Sequence, residues 1–232
     1  MVNNMKPKTN IVRKELDKLR KEWGYSPSEM IACMKSPGNS SKGSEYERET
    51  CKKLGLWWTH GERDDIFWRT AGSGARATVR GRKGNTTAGQ NGDIAATDPL
   101  GKPLIDAFTI ELKRGYSERT IQDLLDKSNK AANQEYEKFI LQTIESWEQA
   151  GSKSWILIVR RNRREALIFL PYLAVKQLKV IGCFPNGLPP KSVVLKTLLR
   201  YKENNLKLTV CGMQLNDWLD AVTPGSILQF LK

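Results

Sequence analysis

The sequence predicts an α/β fold, with a mixed central sheet flanked by helices. Strand-like composition occurs in short segments at 66–69, 92–96, 108–113, 155–159 and 166–170. The stretch from 118 to 150, preceded by Ser117 as a cap and closed by Gly151, repeats apolar residues at three- and four-residue steps. That repeat is typical of a helix lying on a sheet, and strands combined with such a helix favour an α/β arrangement.

Length and composition fit one domain with an extension. The chain has 232 residues, and 39% of them are hydrophobic, which is enough for a sizeable core. We expect the domain over 43–232, with an elaboration from about residue 171 that completes the sheet or forms a subunit contact. Lys and Arg number 38 against 25 Asp and Glu, so the formal net charge is +13. This excess favours a nucleic-acid partner, although a generally basic soluble protein remains the alternative.

Cysteine and histidine usage excludes several kinds of site. The cysteines Cys33, Cys51, Cys183 and Cys211 show no CxxC spacing, so neither a zinc site nor a disulfide framework is indicated. The single histidine, His60, argues against histidine-dependent nuclease chemistry. No run of 18 apolar residues and no signal-peptide pattern is present. We therefore expect a soluble, cytoplasmic protein that does not enter a membrane.

Residues 1–42 have the composition of a basic helical extension and linker. Helices are predicted over 11–23 and 28–35, and a linker rich in Ser, Gly and Pro over 36–43. The extension could contact DNA or a second subunit, or it could pack on the core.

Glu47 is the informative residue of the next predicted helix, which runs from Ser44 to Trp58. Ser44 as N-cap and Glu47 at the third helical position would form a capping box. On a helical projection, however, Glu47 falls inside the apolar sector that contains Leu54 and Trp58. A charge on a buried face needs a partner such as a metal ion or its bound water. Glu47 could therefore be a helix cap or part of a metal site, and we favour the metal site.

Two strands with acidic residues form the centre of the chain. Asp93 lies in the first, and Glu111 and Lys113 share one face of the second, while Ile110 and Leu112 point to the other face. Two close carboxylates repel each other unless a cation lies between them, and such hard oxygen ligands suit Mg²⁺ or Mn²⁺. The lysine can position or deprotonate a water, or hold a phosphate oxygen. An amphipathic strand with solvated charges is the alternative.

The connection between these strands leaves the ligand set open. The stretch Asp98–Gly101 is typical of a turn. A simple hairpin about it would place Asp93 beside Asp106 instead of Glu111. Pairing Asp93 with Glu111 would then require a bulge or an asymmetric loop, and Asp106 is a rival ligand.

Basic residues are concentrated in two loops and at the end of the second acidic strand. The loop at 71–92 is rich in Gly, Thr and Arg, and its glycines and cations suit close approach to a phosphate chain. The turn after 155–159 carries several arginines. Solvated loops are the alternative in both places. The residues expected to contact DNA are Arg76, Arg80, Arg82, Lys83, Arg114, Arg161, Arg163 and Arg164.

The acidic strands resemble a known active-site motif. Asp93 followed by Glu111-Leu112-Lys113 resembles the PD-(D/E)xK nuclease superfamily. This resemblance implies a restriction-endonuclease-like fold and metal ligands at Asp93 and Glu111.

The segment 42–49 resembles the first helix of archaeal-type Holliday junction resolvases. The likeness extends in matching order over about residues 42–113, and it implies that Glu47 belongs to the metal site. It further implies a homodimer, with Arg69 and Ser73 holding the scissile phosphate. The loop after Ser73 is longer here than in the resolvase pattern.

The sequence therefore predicts a metal-dependent DNA endonuclease that uses Mg²⁺ or Mn²⁺. The predicted catalytic residues are Glu47, Asp93, Glu111 and Lys113. The leading substrate is branched DNA, as for a Holliday junction resolvase, with double-stranded DNA as the other candidate. The alternatives are a restriction-type or phage DNA-processing endonuclease of the same superfamily, and a non-catalytic DNA-binding module with this fold.

Overall fold

The computed structural model of the chain describes residues 40–70, 92–128, 132–202 and 204–232. The strands are β1 Phe67–Arg69, β2 Ile94–Ala96, β3 Phe108–Arg114, β4 Ser154–Arg160, β5 Ala166–Pro171, β6 Val193–Tyr201 and β7 Asn204–Gln214. The helices are α1 Ser40–Trp58, α2 Lys102–Ala107, α3 Glu135–Ala150, α4 Tyr172–Val180, α5 Leu215–Ala221 and α6 Pro224–Leu231. Most of the predicted extension, residues 1–39, lies outside the described residues. Its helices therefore stay a prediction. In the described part of the chain, no helix is long and apolar enough to cross a membrane.

The predicted α/β fold is confirmed. A five-stranded sheet has the order β3-β4-β5-β7-β6, in which β3 and β4 are parallel and the other neighbours are antiparallel. β1 and β2 form a separate antiparallel pair. β3 therefore lies at one edge of the main sheet and β6 at the other, and the helices cover its faces. This is a restriction-endonuclease-like arrangement.

Alternation along β4 explains why the sheet is covered on both faces. Trp155, Leu157 and Val159 pack into a core with α3, whereas Ile156 and Ile158 pack into the core that contains residues of α1, α4 and α5. A strand buried on both faces has to be a continuous apolar run, which is why this strand could be predicted from its composition.

α1 begins earlier than predicted. Ser40 is already helical, so Ser44 lies inside the helix and cannot be its N-cap. The capping-box interpretation of Glu47 is therefore wrong, and so is the extension of the linker through residue 43. Glu47 needs another partner.

The predicted helix over 118–150 is interrupted. A 3-10 helix spans Ile121–Leu124, and α3 begins only at Glu135. Gln134 starts α3 because it forms a capping box with Glu137, so Ser117 does not cap the long helix. Gly151 closes it as predicted, with a left-handed φ of 71°.

The C-terminal region completes the sheet. The predicted strand near 206–211 is β7, and the predicted helix near its end is α5. β6 was not predicted, because as an edge strand it exposes half of its residues and its pattern is weak.

Candidate active site

Asp93 is held against the free edge of β3. Its N–H donates to the carbonyl oxygen of Ile110 (2.8 Å), and its Oδ2 accepts from the N–H of Leu112 (2.7 Å). Gly92 precedes it with φ +81°, and a Cβ there would lie 2.8 Å from the Ile110 oxygen. A glycine is therefore required for this close approach. The buried Asp93 carboxylate comes to lie beside Glu111.

The two acidic strands do not form a simple hairpin. β2 pairs with β1, and a 3-10 helix over Pro99–Gly101 followed by α2 separates β2 from β3. Asp98 is a turn residue as expected, because its Oδ1 accepts from the N–H of Leu100 (2.9 Å) at the start of the 3-10 helix. This asymmetric connection leads through α2 into β3 and brings Asp93, not Asp106, beside Glu111.

Asp106 lies apart from this pair. Its half-exposed carboxylate pairs with Lys102, one turn earlier on α2, and its carbonyl oxygen accepts from the N–H of Lys153 (2.9 Å). It precedes the first residue of β3, whereas Glu111 lies in the middle of that strand. The structure brings Asp93, and not Asp106, to Glu111.

Glu111 is a buried carboxylate with donors from two elements. Its side chain is 2% exposed. Ser146 on α3 donates from Oγ to Oε1 (2.7 Å), and Gln142 on the same helix donates from Nε2 to Oε2 (3.3 Å). Lys113 Nζ lies 3.4 Å from Oε2. The predicted face-sharing of Glu111 and Lys113 is thus present, and α3 fixes the orientation of the carboxylate.

Burial, followed by the neighbouring Asp93 carboxylate, raises the pKa of Glu111 from 4.5 to about 8. Lys113 and the hydrogen bond from Ser146 act in the opposite direction. Two buried carboxylates that repel each other are a donor set that fits a divalent cation, because a positive ion between them removes the repulsion. Asp93 and Glu111 therefore fit Mg²⁺ or Mn²⁺.

Glu47 pairs with an arginine. Arg69 on β1 donates from Nε to Oε2 of Glu47 (2.7 Å). Burial, and after it the charges of Glu47 and Asp93, raise the pKa of the Cys51 thiol to about 12, so both acids lie near the same sulfur. Within the described ranges, however, no group of three or more His, Cys, Asp or Glu side chains is placed to hold one ion. Glu47 and Asp93 both lie near Cys51, but the described acids Glu47, Asp93 and Glu111 do not form a joint ligand set in this arrangement.

Comparison with known protein families gives a match over residues 38–229, to the family described as phage putative PDDEXK endonuclease. The chain belongs to this family. The match covers most of the chain and supports the PD-(D/E)xK superfamily, and it does not bear on the likeness to Holliday junction resolvases. Neither the curated proteins nor the solved structures gave a match.

Two site residues of this PD-(D/E)xK chain were missed from the sequence. Gln142 and Ser146 are four residues apart on α3, so they share one face of the helix. Both lie at the border of the apolar face that packs on the sheet, next to Phe139 and Thr143. Polar residues in such positions were the available signal, but nothing local indicates that their partner is Glu111, more than 30 residues earlier.

The predicted DNA-contacting cations are only partly described. Arg114 ends β3, and the turn between β4 and β5 holds Arg161 half-buried and both Arg163 and Arg164 exposed. Arg163 adopts a left-handed φ of 57°, at some cost in backbone strain. The following predicted residues lie outside the described ranges: Ser73, Arg76, Arg80, Arg82 and Lys83.

Proposed function

We propose that this chain is a metal-dependent DNA endonuclease whose centre is the pair Asp93 and Glu111, with Lys113 on the same strand as Glu111. The observation that carries the proposal is the close approach of two buried carboxylates at the edge of β3, where burial, and after it the charge of Asp93, raises the pKa of Glu111. A fold does not need this repulsion for its stability, whereas metal-assisted chemistry does use paired acids.

Asp93 and Glu111 would hold the ion, which we take to be Mg²⁺ or Mn²⁺. When bound, such an ion stabilises the negative charge that develops on the phosphate and on the leaving oxygen. The N–H of Leu112 and the Ser146 hydroxyl keep the two carboxylates in fixed orientations, which is the usual task of groups around metal ligands.

Lys113 is the proposed group for the attacking water. Its side chain is 14% exposed, and its ammonium lies beside Glu111. From there the ammonium would position the attacking water by a hydrogen bond or hold a phosphate oxygen, and only its neutral amine form would take up the proton of the water.

Glu47 and Arg69 are proposed to act together on the substrate side of the site. Arg69 is about one third exposed and can exchange its bond to Glu47 for one to a DNA phosphate. Glu47 is then free to complete the site, directly or through a water.

The test is a cleavage assay with Mg²⁺ on a four-way junction, a linear duplex and a single strand of matched sequence. We expect the wild type to cut at least one of them, and Glu111→Gln to lower the rate by more than about 10³-fold, because several kcal/mol of charge stabilisation are lost. Glu62→Gln, a change at an exposed position, is the matched control. Wild-type activity in Glu111→Gln would refute the assignment. DNA binding without any metal-dependent cleavage would favour the non-catalytic module.

A structure-specific resolvase is the second candidate, favoured by the motif order over 42–113. Such an enzyme must cut two strands symmetrically and should be a twofold homodimer. Paired cuts confined to the four-way junction would support it. Cutting of linear duplex, or a monomeric mass by light scattering, would instead support another phage DNA-processing or restriction-type endonuclease.

A further inference from the structure

Two arginines meet where β3 and β4 end. The parallel register places Arg114 directly opposite Arg160. Like charges in facing positions of neighbouring strands destabilise a sheet, so this arrangement needs compensation.

Helix α1 supplies that compensation from residues one turn apart. Arg114 lies 3.4 Å from an oxygen of Glu45, and Arg160 lies 2.7 Å from an oxygen of Glu49. Each arginine thus has its own carboxylate.

The ring of Tyr46 contacts both arginines. It is buried, with 3% exposed. The guanidinium carbons of Arg114 and Arg160 lie 5.8 Å and 5.7 Å from its ring centroid. Both distances are within the range of cation–π attraction. The aromatic ring therefore holds two cations in place without adding a negative charge.

Exposure shows which of these contacts can exchange. The side chains of Glu45 and Glu49 are 68% and 55% exposed, whereas those of Arg114 and Arg160 are 26% and 34% exposed. Ion pairs with such exposed carboxylates are weak. A guanidinium binds phosphate through two parallel hydrogen bonds, which is a stronger contact.

We propose that Arg114 and Arg160 form a phosphate clamp for the DNA backbone, in which two phosphates displace Glu45 and Glu49. The identity of the partner as DNA rests on the proposed function. The clamp begins three residues after Glu111 on β3, roughly 10 Å along the strand. It lies on the face of the sheet that α1 covers, whereas Glu111 contacts α3 on the other face, so the clamp would bind the DNA backbone at the end of the edge strand and not at the cut bond itself.

The opposite edge of the sheet offers a matched control. Lys196 on β6 and Lys207 on β7 are exposed cations. They lie on the two strands at the far edge of the sheet from β3. Replacing them removes the same charge as replacing the two arginines.

Binding of a fluorescent duplex oligonucleotide is measured by anisotropy at several salt concentrations, in chelator so that no metal is present. Each phosphate contact contributes about 0.9 to the slope of log K against log salt, so Arg114→Gln/Arg160→Gln should lower the slope by about 1.8. Lys196→Gln/Lys207→Gln should leave it close to the wild-type value. The clamp is overturned if the arginine variant keeps the wild-type slope, or if the slope falls more in the lysine variant than in the arginine variant. It is also overturned if the wild type shows no salt-dependent binding.

Glu45→Gln/Glu49→Gln tests the displacement directly. Removing the competing carboxylates should raise duplex affinity by up to about tenfold. Asp217→Asn/Asp220→Asn on α5, which makes the same charge change, should raise it less. Equal affinities for the two variants would overturn the displacement. A protein that binds through the clamp but never cuts DNA would refute the proposed function and leave the clamp standing, because these measurements involve no cleavage.

Discussion

Glu111 and Glu137 are both buried glutamates, but the charged groups next to them differ. Glu137 is fully buried, and Lys127 Nζ lies 2.5 Å from its carboxylate. Its other oxygen accepts from the N–H of Gln134 (2.7 Å) at the start of α3. Glu111 is equally hidden, but its lysine lies 3.4 Å away and a second acid, Asp93, is its neighbour.

The second acid is the difference that matters. The charge of Glu137 is matched by an ammonium group and used to start a helix, so burial of this pair serves the fold. The charge of Glu111 is opposed by Asp93, which makes the folded state without metal less stable. A buried acid whose surroundings oppose its ionisation is a candidate for a functional site. Burial beside a lysine does not distinguish Glu111 from Glu137, since each of the two glutamates has a lysine nearby.

The largest expected effect is on stability. Glu137→Gln leaves the Lys127 ammonium buried without its counter-charge, so the free energy of unfolding should fall by about 3–5 kcal/mol. Glu111→Gln should not lower it, because the change relieves repulsion with Asp93. Urea denaturation of both variants in chelator at pH 8 measures the difference. Comparable losses in the two variants would show that Glu111 is a structural residue like Glu137.

The pH dependence of stability comes next in size. Burial and Asp93 raise the pKa of folded Glu111 to about 8 from its ordinary 4.5. The folded chain therefore binds a proton more tightly than the unfolded chain. The associated stability is fully present below about pH 4.5 and is lost as pH rises through 8. We expect a decline of up to about 1.4 kcal/mol per pH unit in metal-free protein.

Subtracting the same curve for Glu111→Gln isolates this contribution from other titrating groups. A divalent cation should abolish the decline, since it takes the place of the proton. Curves that run parallel for the wild type and the variant would remove the reason for treating Glu111 as different from Glu137.

Local sequence pattern predicted the parts of this molecule that depend on near neighbours. The apolar run of β4 and the two-residue spacing of Glu111 and Lys113 are properties of single strands. The predicted start of α1 was wrong, because a Ser followed three residues later by Glu also occurs inside helices. Ser44 is such a case. The interruption before α3 depends on the capping box that Gln134 forms with Glu137, and glutamine is not a typical N-cap residue.

The rest of the site depends on contacts between distant segments. Asp93 reaches Glu111 because the chain passes through a 3-10 helix and α2 instead of forming a simple hairpin at Asp98. The periodicity of the sequence does not indicate that path. The bond from Arg69 to Glu47 and the bonds from α3 to Glu111 likewise join separate elements. Their existence follows from tertiary packing.

The two α3 donors should have a smaller, graded effect. Ser146→Ala and Gln142→Ala each remove a hydrogen bond that orients Glu111, and such changes around metal ligands cost about 10–100-fold in metal affinity or activity. Ser146 should matter more, because its bond is shorter (2.7 Å against 3.3 Å). Calorimetric titration with Mn²⁺ and cleavage rates measure both. Gln149→Ala, exposed on the same helix, is the control, and equal values for all three variants would exclude the orienting role.

The smallest effect should be at Asp106, the acid that a hairpin would have brought to the site. Its carboxylate is 47% exposed and pairs with Lys102 one helical turn away, so Asp106→Asn should cost no more than about 0.5 kcal/mol. Cleavage and Mn²⁺ affinity should match the wild type. A loss of activity as large as that of Glu111→Gln, in protein that is still folded, would mean that Asp106 and not Asp93 is the partner of Glu111. Asp93→Asn, assayed in parallel, decides between Asp93 and Asp106 as the partner of Glu111. The variant at the true partner should lose activity, and the variant at the other acid should keep it.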